Sequence, residues 1–106
     1  MALQKRYKLR YLPLFWDDLN EVSGYIRDVL HNPQASSRLL DKTEEAILLY
    51  STMPEAALLY YETRDRLNPY RWIGVGNYMV FSVVFDDIME VRRFICGSRD
   101  MLRLLP

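Results

Sequence analysis

Cysteine and histidine are each present only once in this 106-residue chain, as Cys96 and His31. A single cysteine excludes an intramolecular disulfide, and a single histidine excludes a multi-histidine metal centre. No apolar run is long enough to span a bilayer, and no apolar segment follows the basic N-terminus as it would in a signal peptide. We therefore expect a cytoplasmic protein with no metal, no cofactor and no membrane partner.

Net charge is also lacking, because 14 cations balance 14 acids. The charges are nevertheless unevenly spread along the chain. Residues 1–12 hold four cations and no acid, residues 13–55 three cations and eight acids, and residues 56–106 seven cations and six acids. Local potential steers charged ligands more than total charge does, so a basic sheet beside an acidic helical part could attract phosphate. The alternative is a surface of solvated ion pairs without a ligand.

Apolar residues, by contrast, make up half of the chain, which is enough to bury one core in a single domain over residues 1–106. Residues 5–12 alternate with period 2, which predicts a first strand with Lys8 and Arg10 on a basic face. Pro13 ends this strand and suits the first turn of a helix.

Two amphipathic helices are predicted next. In residues 14–30 the apolar positions recur every three or four residues, and the same spacing returns after Asn32 and Pro33. Asn32 supplies a capping oxygen, Pro33 fits the first helical position, and the helix should end between Ser51 and Pro54. The short connection predicts an antiparallel helical hairpin that covers one face of a sheet.

Three further strands are predicted in the second half, at Tyr70–Val75, Tyr78–Phe85 and Ile88–Cys96, with turns at Gly76-Asn77 and Asp86-Asp87. The predicted fold is therefore α+β, in the order β-α-α-β-β-β, with the helical hairpin packed on a four-stranded, mainly antiparallel sheet.

Strict alternation in the last strand puts Val91, Arg93 and Ile95 on one face, and Glu90, Arg92, Phe94 and Cys96 on the other. Gly97 should end this strand before a short C-terminal helix or turn over 98–105.

Residues 55–69, which precede the three strands, fit a loop, an irregular edge strand or a mobile flap.

The order of elements and several short motifs resemble the RelE/ParE superfamily of bacterial type II toxin–antitoxin toxins. The motifs are YLPLFWDDL after the first strand, NPQAS at the second helix, MPE after it, YRWIGVGNYMVF in the hairpin and CGSRDMLRLL at the C-terminus. The resemblance implies a toxin that a cognate antitoxin holds inactive in a hetero-oligomer. It also implies one of two targets: messenger RNA in the ribosomal A site, as in RelE-like members, or DNA gyrase, as in ParE-like members.

The resemblance also implies site residues. Arg71, Arg93 and Arg99 match the arginines of the second strand, the last strand and the terminal glycine-x-arginine motif, and they are the predicted catalytic residues. Predicted to bind RNA or another target are Lys8, Arg10, Arg64, Tyr78 and Asp100. The chain departs from RelE-like nucleases at Met79, Ser82 and Cys96, and the C-terminal tyrosine of those nucleases is absent.

RNA cleavage through the 2′-hydroxyl needs a base, an acid and positive charge for the crowded phosphate. Arginine suits the phosphate, but its pKa is too high for proton transfer at neutral pH. Glu90 and Asp100 could act as bases or could pair with arginines, whereas His31 and Cys96 fit structural roles better. We therefore predict ribosome-dependent mRNA cleavage, with gyrase inhibition or a degenerate module that only binds antitoxin as alternatives.

Overall fold

The computed structural model describes residues 6–97 and 101–105 and has the predicted α+β architecture. The elements are β1 (Lys8–Tyr11), α1 (Pro13–Gly24), α2 (Pro33–Tyr50), β2 (Leu58–Leu59), β3 (Tyr70–Val75), β4 (Tyr78–Phe85), β5 (Ile88–Cys96) and α3 (Met101–Leu104). The strands form one sheet in the order β1-β5-β4-β3-β2, in which β1 runs parallel to β5 and the other pairs are antiparallel. The predicted strand count of four was wrong, because β2 adds a fifth strand at one edge.

The helical hairpin is confirmed, and its connection has a local cause. α1 begins at Pro13 and continues beyond its last residue in one π-helical turn, Tyr25–Val29. His31 then adopts a left-handed φ of 52°, which reverses the chain. The Asn32 side chain accepts a hydrogen bond from the Ala35 N–H at 3.0 Å and caps α2.

The two β-hairpins turn at the predicted positions. Gly76 has φ 58° between β3 and β4, and Asp86 has φ 53° between β4 and β5. Glycine adopts this left-handed conformation without steric cost, and aspartate tolerates it better than most residues do. The order of the three central strands is thus fixed by two short turns.

The sheet has one face covered by helices and one face turned away from them. Phe15 of α1 and Ile47 of α2 share a core with strand residues that alternate along β3, β4 and β5. We call the opposite side the far face; its buried residues are Tyr70, Phe81, Val83, Ile95 and Leu105. Lys8 and Arg10 lie on the far face, because Leu9 and the other apolar residues of β1 pack toward the helices.

A β-bulge in β5 overturns the predicted strict alternation of that strand. Phe81 of β4 pairs with Arg93, whereas the next residue, Ser82, pairs with Val91, so Arg92 is the extra residue. Beyond the bulge the faces exchange: Val91 and Phe94 both lie in the core under the helices. Ile95 lies on the far face instead of sharing a face with Val91.

Residues 55–69 combine two of the three predicted alternatives. A 3₁₀ turn at Pro54–Ala56 leads into β2, a second 3₁₀ turn follows at Tyr61–Thr63, and the chain then loops back to β3. Thr63 anchors this return, because its Oγ1 accepts a hydrogen bond from the Tyr70 N–H at 2.9 Å and donates one to the Tyr60 carbonyl at 2.8 Å.

Ser82 gives the first stability prediction. Its side chain is fully buried, and its Oγ has no hydrogen-bond partner among the described residues. Because an unsatisfied buried hydroxyl is destabilising, we expect Ser82→Ala to leave the free energy of unfolding unchanged or to raise it by about 1 kcal/mol.

Ser36 supplies the matched control for urea denaturation. It is also buried, but its Oγ donates to the Ser23 carbonyl at 2.9 Å. Ser36→Ala should therefore lower the free energy of unfolding by about 1 kcal/mol. If Ser82→Ala were as destabilising as Ser36→Ala, the Ser82 hydroxyl would have to be satisfied in solution.

Candidate target-binding face

A cluster of charged and aromatic side chains occupies the far face where β1 lies beside β5. Glu90 is at its centre, with a side chain that is only 8% exposed. Its Oε1 accepts a hydrogen bond from Arg92 Nε at 2.7 Å, and its Oε2 accepts one from Arg10 Nη1 at 3.3 Å. A buried carboxylate needs such partners, and both of its oxygens have one here.

Tyr70 extends this cluster across the sheet. Its hydroxyl accepts a hydrogen bond from Arg92 Nη1 at 3.1 Å, and the guanidinium carbons of Arg92 and Arg66 lie 5.3 Å and 5.6 Å from its ring centroid. Burial lowers the pKa of Arg92, but the hydrogen bonds to Tyr70 and Glu90 outweigh burial and raise the pKa above its ordinary value. Arg92 is therefore a fixed positive charge.

Three cations of this face are open to solvent, because Arg66, which lies over the Tyr70 ring, is exposed as Lys8 and Arg10 are. The Lys8 side chain is 78% exposed and lies 3.7 Å from an Asp87 carboxylate oxygen, which is a weak surface pair. The Arg10 side chain is 54% exposed, and its guanidinium lies 5.8 Å from the Phe85 ring centroid. The face thus combines exposed cations with an aromatic surface, which is the combination that binds the phosphates and bases of single-stranded nucleic acid.

Arg93 makes its hydrogen bonds outside this cluster. Its Nε and Nη2 donate to the two carboxylate oxygens of Asp18 in α1 at 2.7 Å and 3.0 Å, and its Nη1 donates to the Leu104 carbonyl at 2.7 Å. The hydrogen bond to Asp18 raises the pKa of Arg93. The guanidinium therefore ties α1 and the C-terminal helix to the edge of β5.

Arg71 also makes internal contacts. Its neighbours Tyr70 and Trp72 belong to the far face, so Arg71 points to the helix side, where its Nη1 donates to the carbonyls of Glu55 and Ala57 at 3.1 Å and 3.0 Å. These two bonds hold the 3₁₀ turn before β2 against β3. The structure thus separates Arg71 from both Arg93 and Arg10.

The other predicted site residues are dispersed. Tyr78 faces the helices and stacks on Phe94, with centroids 4.9 Å apart. Arg64 lies on the exposed loop after β2, with its guanidinium carbon 3.9 Å from the Tyr61 ring centroid. Arg99 and Asp100 lie outside the described residues.

Sequence reasoning missed Arg92 and Tyr70 as members of the cluster. It did name Glu90 as an ion-pair partner of an arginine, and that interpretation is confirmed for Arg92. The sequence holds no local signal for this cluster, because it depends on the β1–β5 register that pairs Arg10 with Glu90 and on the bulge at Arg92.

Within residues 6–97 and 101–105, no group of three histidine, cysteine, aspartate or glutamate side chains could hold a metal ion. The helices in that part of the chain are also too short or too polar to cross a membrane. Both findings concern only the described residues.

Arg71 gives a prediction that separates a structural role from a catalytic one. Arg71→Ala removes both bonds to the 55–57 turn, and we expect it to lower the free energy of unfolding by about 1–2 kcal/mol in urea denaturation. Arg64→Ala, which removes an exposed arginine, is the control and should change it by less than about 0.5 kcal/mol. A loss of activity in Arg71→Ala at unchanged stability would instead support the catalytic assignment.

Comparison with known proteins supports the fold. The chain superimposes on a solved chain described as "Chromosomal ParDE TA system from P. aeruginosa" with a TM-score of 0.68 and 11% sequence identity, and the match covers 86% of this chain and 96% of that chain. No protein-family model and no curated protein sequence matches. At this identity the likeness shows the fold alone, which is the RelE/ParE-like α+β fold that the sequence predicts.

Proposed function

We propose that this chain is the toxin of a type II toxin–antitoxin system, active in the cytoplasm and held inactive in a hetero-oligomer with its cognate antitoxin. The observation that carries the proposal is a fold shared with a chain of a ParDE toxin–antitoxin structure, together with a basic far face on which Lys8 and Arg10 are exposed. Growth inhibition follows from target binding at that face.

Messenger RNA on the ribosome is the first candidate target. Lys8 and Arg10 can contact phosphate oxygens, Arg92 adds fixed positive charge behind them, and Phe85 and Trp72 border the same surface. Arg71, Arg93 and Arg99 stay the predicted catalytic arginines. Cleavage also requires a base, and Glu90 could serve only after releasing one of its two arginine partners.

DNA gyrase is the second candidate, and a specific observation favours it. Arg71 and Arg93 are both committed to hydrogen bonds inside the domain, with Glu55 and Ala57 and with Asp18 and Leu104. A toxin that acts by binding a protein needs no catalytic acid or base. The internal hydrogen bonds of Arg71 and Arg93 are therefore compatible with gyrase inhibition.

Expression of the chain alone in bacteria separates the candidates. Growth arrest with codon-phased 5′ ends in messenger RNA would support ribosome-dependent cleavage, and loss of those ends in Arg99→Ala would support the predicted role of that arginine. Intact messages with DNA breaks and failed supercoiling would support gyrase inhibition.

Two results would count against the proposal as a whole. Normal growth at full expression would leave only a module that binds an antitoxin. Failure of every neighbouring open reading frame to relieve a growth arrest would exclude the toxin–antitoxin pairing.

A further inference from the structure

A cavity of about 340 Å³ lies between β1, α1 and α2, on the helix side of the sheet. Its volume is at the lower end of the range of about 300–1,000 Å³ that small-molecule sites occupy. The charged cluster around Glu90 contributes no residue to it. The cavity is therefore separate from the far face, and its size suits a small organic molecule.

The floor of the cavity is apolar and its mouth is open. Leu19 and Ile47 line the floor and are almost fully buried, whereas Leu40 and Leu48 line the mouth and are each 38% exposed. The one hydroxyl at the floor, Thr43 Oγ1, already donates a hydrogen bond to the carbonyl one turn earlier in α2 at 2.8 Å. A ligand must therefore enter this space with an apolar body.

Three aromatic rings that contact one another form one wall. The ring centroid of Trp16 lies 5.0 Å from that of Tyr11 and 5.1 Å from that of Phe15, and Trp16 is 46% exposed. The face of an aromatic ring carries partial negative charge and attracts an organic cation, most strongly in tryptophan. This wall favours a cationic ligand over an anionic one.

The charge at the cavity has the same sign as the ring faces. Glu44 lines the cavity from α2, is exposed, and has no hydrogen bond or ion pair with any described residue. Burial raises the pKa of Tyr11, and the negative charge of Glu44 raises it further, so the carboxylate acts on the aromatic wall. No basic side chain of the described residues lines the cavity. A protonated amine would supply the missing positive charge.

We propose that this cavity binds a small apolar amine. Its ammonium group lies between the Glu44 carboxylate and the rings of Tyr11 and Trp16, and its hydrocarbon body lies between Leu40 and Leu48 above the apolar floor. The proposal is independent of the proposed function, because no residue of the cavity was assigned to target binding.

The test uses the full chain with Trp72→Phe. The chain has two tryptophans, so this variant leaves Trp16 as the only one, and its fluorescence reports on the cavity. The probes are hexylamine, 1-hexanol and hexanoate, which share one chain length and differ in charge. The NMR shifts of the Leu40 and Leu48 methyl groups show where each probe binds.

We expect hexylamine to bind saturably at millimolar concentration and about tenfold more tightly than 1-hexanol, through a partly exposed ion pair and a cation–π contact. Glu44→Gln should reduce this preference to about twofold, because only the cation–π contact is left. Glu45→Gln is the matched control: Glu45 is the exposed neighbour in α2 and does not line the cavity, so the tenfold preference should persist.

Four results would overturn the proposal. They are the absence of saturable change at Trp16 and at the two leucine methyl groups, binding of 1-hexanol or hexanoate as tight as that of hexylamine, and an equal loss of preference in Glu44→Gln and Glu45→Gln. The fourth is tighter binding of N-acetyl-lysine methylamide than of hexylamine, which would assign the cavity to a lysine side chain of a protein. Each outcome is measured without a growth assay, so failure of the proposed function would leave this test intact.

Discussion

Replacing Asp18 by alanine should lower the free energy of unfolding by about 3 kcal/mol, because it leaves a partly buried arginine without its carboxylate. The Asp18 side chain is 16% exposed and that of Arg93 is 14% exposed, and the two form a bidentate pair at 2.7 Å and 3.0 Å. For a domain of this size the loss is a large fraction of the total stability.

A second contact of Asp18 adds to this expectation. β1 ends at Tyr11, so no strand of the described part of the chain lies beside the edge of β5 beyond Val91. Asp18 Oδ2 fills that place by accepting a hydrogen bond from the Phe94 N–H at 3.1 Å. Without the carboxylate, a backbone donor of a buried residue would be left unsatisfied.

Asp17→Ala is the matched control, since Asp17 is the exposed neighbour in the same helix. It should change the free energy of unfolding by less than about 0.5 kcal/mol. Asp18→Asn keeps one acceptor oxygen and should fall between the two. The urea midpoints of the three variants measure these differences, and equal midpoints for Asp17→Ala and Asp18→Ala would show that the pair contributes nothing net.

The same pair governs how substitutions of Arg93 must be interpreted. Arg93→Ala would remove the contacts with Asp18 and Leu104 together, so a loss of toxicity could follow from lost stability alone. An Arg93 variant must therefore be compared with Asp18→Asn at equal stability. A catalytic role for Arg93 requires that toxicity is lower in the Arg93 variant than in Asp18→Asn.

The parts of the fold that sequence could predict are those with a local signal. Apolar spacing and the cap at Asn32 were sufficient for the helices, and a residue that tolerates positive φ marked each hairpin, at Gly76 and at Asp86. Each of these signals depends on residues close in the chain, so no tertiary information was needed.

The parts that sequence could not predict depend on long-range pairing. The bulge at Arg92 is invisible in a period-2 pattern, and it moves Phe94 to the helix side and Ile95 to the far face. Strict alternation therefore placed Arg93 on the same face as Val91, and the bulge breaks that relation. Arg71 and Arg93 donate hydrogen bonds to groups from distant segments of the chain, a backbone carbonyl and a carboxylate. The resemblance could therefore supply the positions of the two arginines but not their hydrogen-bond partners.

Substituting both Lys8 and Arg10 by glutamine should abolish growth arrest while leaving the fold intact. Lys8 makes only a long surface pair with Asp87, and after loss of Arg10 the Glu90 carboxylate keeps its 2.7 Å bond to Arg92. We therefore expect a stability change below about 1 kcal/mol. The loss should fall on target binding, since Lys8 and Arg10 are both exposed cations of the far face.

Binding of single-stranded RNA gives a quantitative measure of this effect. Each lost phosphate contact should reduce the slope of log K against log salt by about 0.7, so that K8Q/R10Q should be shallower than the wild type by about 1.4. The control R38Q/K42Q loses the same net charge from two exposed positions of α2, on the other side of the sheet, and should keep the wild-type slope. The pair of variants thus separates a local contact from a general charge effect.

The outcomes of this comparison bear on the target as well as on the surface. Equal weakening of RNA binding in both double variants would mean that net charge, and not the far face, determines binding. If K8Q/R10Q abolished growth arrest but left the RNA slope unchanged, the far face would bind a protein, which favours gyrase. Unchanged growth arrest in K8Q/R10Q would exclude Lys8 and Arg10 as toxic contacts, because the variant keeps the fold and loses only these two exposed side chains of the far face.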